Sequence, residues 1–302
     1  RGGKGVRGMT TRDDDALKEL VVVDTHDTLL FFTNRGRVYP LRVFQLAPDT
    51  SRTSRGTLLV NLIPLGPGEQ IQTMLATKNP KEGDLLVLAT QLGEVKALKE
   101  GALSNIQARG LIVMDLEPGD ELVSVKQLGD AQDVVMVSET GQSIRFPIRN
   151  LAPRSRTAGG VRGMRLRQDD KVVTMLTVTQ DDRLLVVSEG GYGKATPLSM
   201  YPTQTRGGLG VRTFKVTDKT GRVAAARVVS ENEGQEVFII SAMAQVVRIN
   251  LEDVRITGRD TQGVIVWRDR DPDDYVASIA CFQETDYTKE PAEANSNKSD
   301  EE

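Results

Sequence analysis

Six times along this chain of 302 residues a glycine closes a loop and a β-rich run follows: Gly5-Val6, Gly56-Thr57, Gly110-Leu111, Gly160-Val161, Gly210-Val211 and Gly263-Val264. The intervals are 51, 54, 50, 50 and 53 residues. A fixed period near 50 means one structural unit repeated, so the chain folds as an array of like parts. In five of the six loops an arginine stands four positions before the glycine: Arg1, Arg52, Arg156, Arg206 and Arg259. The remaining loop has Ile106 there and Arg109 beside the glycine. A cation at the same place in each unit is a charge that recurs around the array.

Each unit reads as four short strands. In residues 85–128, Leu85 to Thr90 is an apolar run, Gln91-Leu92-Gly93-Glu94 a turn, and Val95 to Leu98 the return strand of a hairpin. A polar loop ends at Arg109-Gly110, Leu111 to Leu116 makes a third strand, and Glu117-Pro118-Gly119-Asp120 turns into a fourth from Leu122 to Leu128. Other first strands begin near Leu29, Val134, Leu184 and Val237. No helical periodicity of any length is present. The pattern gives five complete units plus a partial first one, which begins in its middle, as expected of a piece of a longer protein. Four-stranded units in series point to radial blades, all-β and propeller-like.

Composition narrows the function. The 38% hydrophobic content suffices for a sizeable core, and no apolar run approaches the roughly 20 residues that span a bilayer. No signal peptide or lipidation pattern is visible, and the single cysteine, Cys281, fits a reducing, cytoplasmic setting. The net charge of −3 hides an asymmetry. Residues 283–302 hold seven acids and two lysines, a charge of −5, which leaves −3 + 5 = +2 on residues 1–282. The expected domains are therefore a β array over 1–282 and an acidic disordered tail over 283–302.

Catalytic signals are poor. His26 is the one histidine, so a hydrolytic triad or a histidine-based zinc site is nearly excluded, and neither catalytic nor metal-binding residues are expected. Arg1-Gly2-Gly3-Lys4-Gly5 lacks the spacing of a nucleotide phosphate loop. Its open backbone and two cations suit a phosphodiester equally well. Further cations fall at matched places. Lys96, Arg145, Lys194 and Arg248 lie three or four residues past their hairpin turns, Arg35 and Arg37 flank another turn, and Arg55, Arg109, Arg154 and Arg162 add to the loops. Together they suggest a continuous basic track along one rim. Aromatic residues are only 4%, too few for single-strand stacking platforms, and no recognition helix is available to read bases. The partner this leaves is duplex DNA held through its phosphates.

The sequence resembles the C-terminal domain of bacterial DNA gyrase A, part of a type IIA topoisomerase, over nearly all of residues 1–282. Arg1-Gly2-Gly3-Lys4-Gly5 is similar to the end of that family's hallmark heptad, Gln-Arg-Arg-Gly-Gly-Lys-Gly. Asn34-Arg35-Gly36-Arg37-Val38-Tyr39, Gly191-Tyr192-Gly193-Lys194, Thr205-Arg206-Gly207-Gly208 and Gly258-Arg259-Asp260-Thr261-Gln262-Gly263-Val264 carry the likeness further. The resemblance implies a β-pinwheel with strands exchanged between neighbouring blades, a monomer in isolation, with duplex DNA wrapped on its outer rim. It implies no cofactor in this piece. ATP and Mg²⁺, with cleavage and religation, would belong to the rest of gyrase A and to gyrase B. Two other readings stand beside it: a topoisomerase IV-type domain that wraps weakly, and a propeller-like protein-interaction module.

Overall fold

The computed structural model describes residues 23–46, 57–77, 84–230, 235–243, 245–268 and 270–283. Five hairpins follow one another: β1 (Thr28–Thr33) with β2 (Arg37–Arg42), β4 (Leu85–Thr90) with β5 (Glu94–Lys99), β8 (Asp133–Ser138) with β9 (Gln142–Pro147), β12 (Arg183–Ser188) with β13 (Tyr192–Pro197), and β16 (Gln235–Ser241) with β17 (Val246–Asn250). Each unit ends in a long strand that pairs with its own first strand: β3 (Ile71–Thr77), β7 (Leu122–Gln127), β11 (Val172–Val178), β15 (Val223–Val229) and β19 (Val276–Gln283). These five strands surround one cavity of ≈ 470 Å³, so they form the axis of the array.

The third strands are far shorter than the sequence suggests, and they belong elsewhere. β6 (Leu111–Ile112), β10 (Val161–Arg162), β14 (Val211–Arg212) and β18 (Val264–Ile265) are two residues each. Each joins the sheet of the preceding unit, giving the orders β3-β1-β2-β6, β10-β5-β4-β7, β11-β8-β9-β14 and β15-β12-β13-β18. The blades therefore exchange strands. Among the described residues the fifth sheet has three strands, β17-β16-β19.

The exchange depends on the hairpin turn. The Gly141 carbonyl accepts N–H bonds from Thr213 (2.8 Å) and Phe214 (3.2 Å) of the next unit, and Gly36, Gly93 and Gly191 do the same for theirs. Gly141 has φ of +80°, and a Cβ there would lie 2.3 Å from the Phe214 carbonyl oxygen. Only glycine meets both demands. The exchanged segment then drops one large side chain between two blades. Met114, Met164, Phe214 and Trp267 are all buried, each in the cluster that joins its host blade to the next. The hairpin strands are buried on both faces in turn: Leu86 and Leu88 meet the first blade while Val87 and Ala89 meet the third. That is why they read as unbroken apolar runs and not as alternation.

One expected strand is absent. After Gly56, a 3-10 turn over Leu59–Asn61 stands where the third strand should begin. No described hairpin precedes this unit to pair with it. Val60, at the place of Phe214, is 63% exposed. Phe214→Ala should thus lose about 3–5 kcal/mol of unfolding free energy, and Val60→Ala less than about 0.5 kcal/mol, in urea titrations followed by circular dichroism. Similar losses for the two would mean that the inter-blade plug is not what these equivalent positions share.

Candidate nucleic-acid interface

The glycine loops lie at the outer edges of the sheets, side by side. Three backbone bonds stitch one loop to the next: Asp115 N–H to Ala158 O (3.3 Å), Arg165 N–H to Gly208 O (2.8 Å) and Lys215 N–H to Thr261 O (3.0 Å). Across two of these seams lies the periodic arginine. Arg206 donates from Nη1 to Arg162 O (3.0 Å) and from Nε to Asn150 O (3.3 Å), and Arg259 donates from Nη1 to Arg212 O (3.2 Å). Arg156 is half-buried in its own loop, and Arg154 caps that loop through Gly159 O (3.3 Å) and Gly160 O (2.9 Å). A guanidinium carries five N–H donors, so these bonds fix the groups and still leave donors for a ligand.

The other expected positions divide. Arg109 is exposed and its carbonyl accepts from Arg37 Nη2 (3.1 Å). Arg37 is otherwise committed inward, with Nε donating to the Tyr39 hydroxyl (3.0 Å), which in turn donates to the buried Glu69 (3.0 Å). Arg35 is exposed at its turn and donates to Pro67 O. Arg248 is exposed and pairs with Glu236. Arg1, Gly2, Gly3, Lys4, Gly5, Arg52, Arg55 and residues 284–302 lie outside the described residues.

Three expected contacts are corrected by burial. Lys96 and Lys194 are 0% exposed and Arg145 is 7% exposed, so none of them reaches the rim. Lys96 Nζ donates to Val113 O (2.7 Å), Arg156 O (2.8 Å) and Ala158 O (2.7 Å). Lys194 Nζ donates to Gly258 O (2.6 Å), Arg259 O and Thr261 Oγ1 (3.2 Å). Arg145 is paired with Asp133 (2.7 Å) and donates to Leu198 O (2.7 Å). Both faces of these second hairpin strands are covered by neighbouring blades. Lys96 and Lys194, three residues past their turn glycines, and Arg145, four past, are therefore enclosed, whereas Arg248 in the fifth hairpin stays exposed. Recurrence along the sequence does not distinguish a covered position from a solvent-facing one.

The rim instead presents residues that recur two and five positions after each loop glycine. The pairs are Ile112 and Asp115, Arg162 and Arg165, Arg212 and Lys215, Ile265 and Arg268, all exposed. Arg165, Arg212 and Lys215 escape a search centred on the loops. The fixed offset from the glycine is the signal that finds them. Positive charge is thus densest on the two central loops, tempered by the Arg212 pair with Asp260 (3.0 Å).

Comparison with known proteins fits this arrangement. Residues 1–24, 27–78, 84–128, 132–179, 182–230 and 235–283 match the family described as DNA gyrase C-terminal domain, beta-propeller. The chain belongs to the DNA gyrase C-terminal domain family. The six matched segments follow the repeat, each complete one running from a hairpin to its own axial strand. DNA gyrase A of Dehalogenimonas lykanthroporepellens is 39% identical over 290 residues, 94% of this chain and 35% of that protein. DNA gyrase A of Staphylococcus aureus is 37% identical over 305 residues, 99% of this chain and 34% of that protein. The chain therefore spans about a third of the curated relatives it matches. A solved DNA gyrase A C-terminal domain superposes with TM-score 0.75 at 26% identity, covering 92% of both chains. A DNA topoisomerase IV C-terminal domain has the same fold, with TM-score 0.76 at 22% identity over 92% of this chain and 85% of that one.

The buried lysines give this gyrase-family domain a pH signature. Desolvation pushes Lys96 down to about 8, with Arg154 adding to the shift and Asp115 opposing it. Lys194 is likewise pushed to about 8 by desolvation, opposed by Asp260 and reinforced by Arg259. Below pH 8 the folded and unfolded chains both hold these protons. Between about 8 and the ordinary lysine value of 10.5 the unfolded chain holds more, so stability rises with pH in that window. Guanidinium midpoints at pH 7.5 and 9.5 should therefore rise more for the natural chain than for Lys96→Met/Lys194→Met. Parallel changes would show that neither lysine is desolvated in the fold.

Proposed function

We propose that this chain is the duplex-DNA wrapping domain of a DNA gyrase A protein. It bends DNA around its basic rim so that strand passage by the whole enzyme adds negative supercoils. The observation that carries this reading is the continuous outer edge: consecutive loops bonded together, with Arg206 and Arg259 across the seams. Phosphates along a bent duplex recur on a curve, and so do these cations. Exposed Arg162, Arg165, Arg212 and Lys215 extend the same edge. With no base-reading helix among the described residues and an aromatic content of only 4%, affinity in this reading comes from counterion release and selectivity from DNA deformability. The domain itself carries no chemistry in this reading. It acts as a monomeric module in the cytoplasm, attached to the rest of gyrase A and working with gyrase B. ATP and Mg²⁺ act on those other parts.

The topoisomerase IV reading shares the fold, and Gly2-Gly3-Lys4-Gly5 favours gyrase over it. Relaxed circular DNA closed in the presence of the protein distinguishes the two. Trapped positive writhe supports wrapping, and an unchanged linking number leaves binding without a wrap. Log affinity should fall with log salt at roughly −0.9 per phosphate neutralised, and Arg165→Ala or Arg212→Ala should each weaken binding for any sequence and flatten that slope by about one phosphate. A shallow slope would instead fit a protein-interaction module.

Two further outcomes follow for the termini. Arg1→Ala/Lys4→Ala should keep most duplex affinity, since the other blades still hold DNA. It should abolish most trapped writhe, because completing a bend of 40–90° costs on the order of 1–6 kcal/mol and needs a contact where the path closes. Equal losses of affinity and writhe would make these residues ordinary anchors. Deleting residues 283–302, with their charge of −5, should raise affinity at low salt and less so at high salt, where screening weakens competition with DNA. An unchanged low-salt affinity would remove the tail from the binding equilibrium.

A further inference from the structure

Lys96 and Lys194 occupy the same place in two hairpins, three residues past the turn glycines Gly93 and Gly191. The other three hairpins have Tyr39, Ile144 and Val247 there. At this position the side chain runs beneath the next unit's glycine loop. The Tyr39 ring lies under Gly110, and Ile144 Cδ1 would be 3.5 Å from a Cβ on Gly208. Where the residue is lysine, the buried ammonium meets the loop backbone itself. Its acceptors include the carbonyl of the periodic arginine in both cases, Arg156 O and Arg259 O. Three donors on a compact cation match three converging acceptors, which a planar guanidinium could not do.

Besides the lysine, a small set of bonds orders these loops. Among them are Asp115 N–H to Ala158 O (3.3 Å) and Arg154 Nη1 to Gly160 O (2.9 Å) in the first, and Lys215 N–H to Thr261 O (3.0 Å) and Thr261 Oγ1 to Gly258 O (3.0 Å) in the second. The Arg156 loop is tied by Arg154 N–H to Ala97 O (2.9 Å) and by a turn bond from Ala158 N–H to Ser155 O (3.1 Å). The Arg259 loop is tied by Thr257 N–H to Ala195 O (2.9 Å) and Ala195 N–H to Arg255 O (3.2 Å). We infer that Lys96 and Lys194 are positioning residues that lock the backbone of the Arg156 and Arg259 loops, and thereby set how far bound DNA is bent more than how tightly it is held. The first half of this inference stands on geometry alone, and the second rests on the DNA-wrapping reading. Counterion release depends on how many phosphates are neutralised, so a loose loop still contributes to affinity. A bend must be held against the stiffness of the duplex, and a loop that yields lets the DNA straighten.

Amide hydrogen exchange tests the lock without DNA. In the natural chain the Ala158 and Thr257 amides should exchange at least tenfold more slowly than in Lys96→Met and Lys194→Met respectively. The Gln204 amide, bonded to Arg145 O (2.8 Å) in the loop seated on Ile144, should not change. Emission of Trp267, the one tryptophan, reports that the variants are folded. Open-loop exchange at Ala158 and Thr257 in the natural chain, or unchanged exchange in folded variants, would overturn the lock even if the double variant were too unstable to study. For DNA, a duplex labelled at both ends should bind Lys96→Met/Lys194→Met within about threefold of the natural affinity while losing more than half of its end-to-end shortening. A folded double variant that bends the duplex fully, or that loses affinity and bending in proportion, would refute the second half. Failure of the natural chain to bind duplex would remove the wrapping reading and that second half with it. The exchange result would remain decisive for the lock.

Discussion

One carbonyl oxygen in each of the first four hairpin turns receives two amide hydrogens from the following unit, and the array depends on that contact. It fixes where the exchanged two-residue strand pairs, Val161 on Val95 or Val211 on Ser143. It also fixes the depth to which Met114, Met164, Phe214 or Trp267 enters between two blades. A pair of two-residue strands has little stability of its own. Here it is stabilised by the buried side chain beside it, and the side chain is located by the pairing. Each blade then completes its neighbour's core, so stability accrues at the junctions as it does in other repeat architectures.

The same junctions create the outer surface. Because the exchanged strand leaves its own unit to lie on the previous one, the loop before it is carried to the outer edge and set against the next loop. Backbone bonds close those seams, and arginines span them. The cations that appear equivalent along the sequence therefore have two fates. Those in the loops and at the exposed ends of exchanged strands face outward. Three on the second hairpin strand, Lys96, Lys194 and Arg145, are enclosed where the next blade packs, while Arg248 on the last such strand stays exposed. Burying an ammonium is costly unless its hydrogens are accepted, and the carbonyls of the glycine loops supply the acceptors. The backbone of the loops that carry Arg156 and Arg259 is anchored in this way.

The axial ends of the sheets show a second recurring device. A buried carboxylate at the start of the axial strand pins the hairpin turn. Asp120 accepts from Leu92 N–H (3.0 Å), Asp170 from Thr140 N–H (3.1 Å) and Asp274 from Met243 N–H (3.1 Å). These hairpins are thus held at their turns by the carboxylate of their own unit and, in the first two, also by the exchanged strand of the next. Such double fixation keeps the glycine carbonyl aimed outward at the incoming amides.

The sequence by itself determined the repeat, its period, the all-β character and the place of hairpins and loops. Those features are local: apolar runs of strand length, turns that need glycine, and an arginine at a constant offset. It also pointed to a phosphate-rich partner through recurrence of charge. What the sequence alone did not determine was which unit each third strand joins, since two residues such as Leu111 and Ile112 pair equally well in principle with either hairpin. The tertiary structure decided that through the turn carbonyl and the pocket for Met114. It also decided which cations see solvent. Lys96 and Arg162 are both basic residues at repeated offsets, and only the packing of the next blade encloses one while leaving the other on the rim.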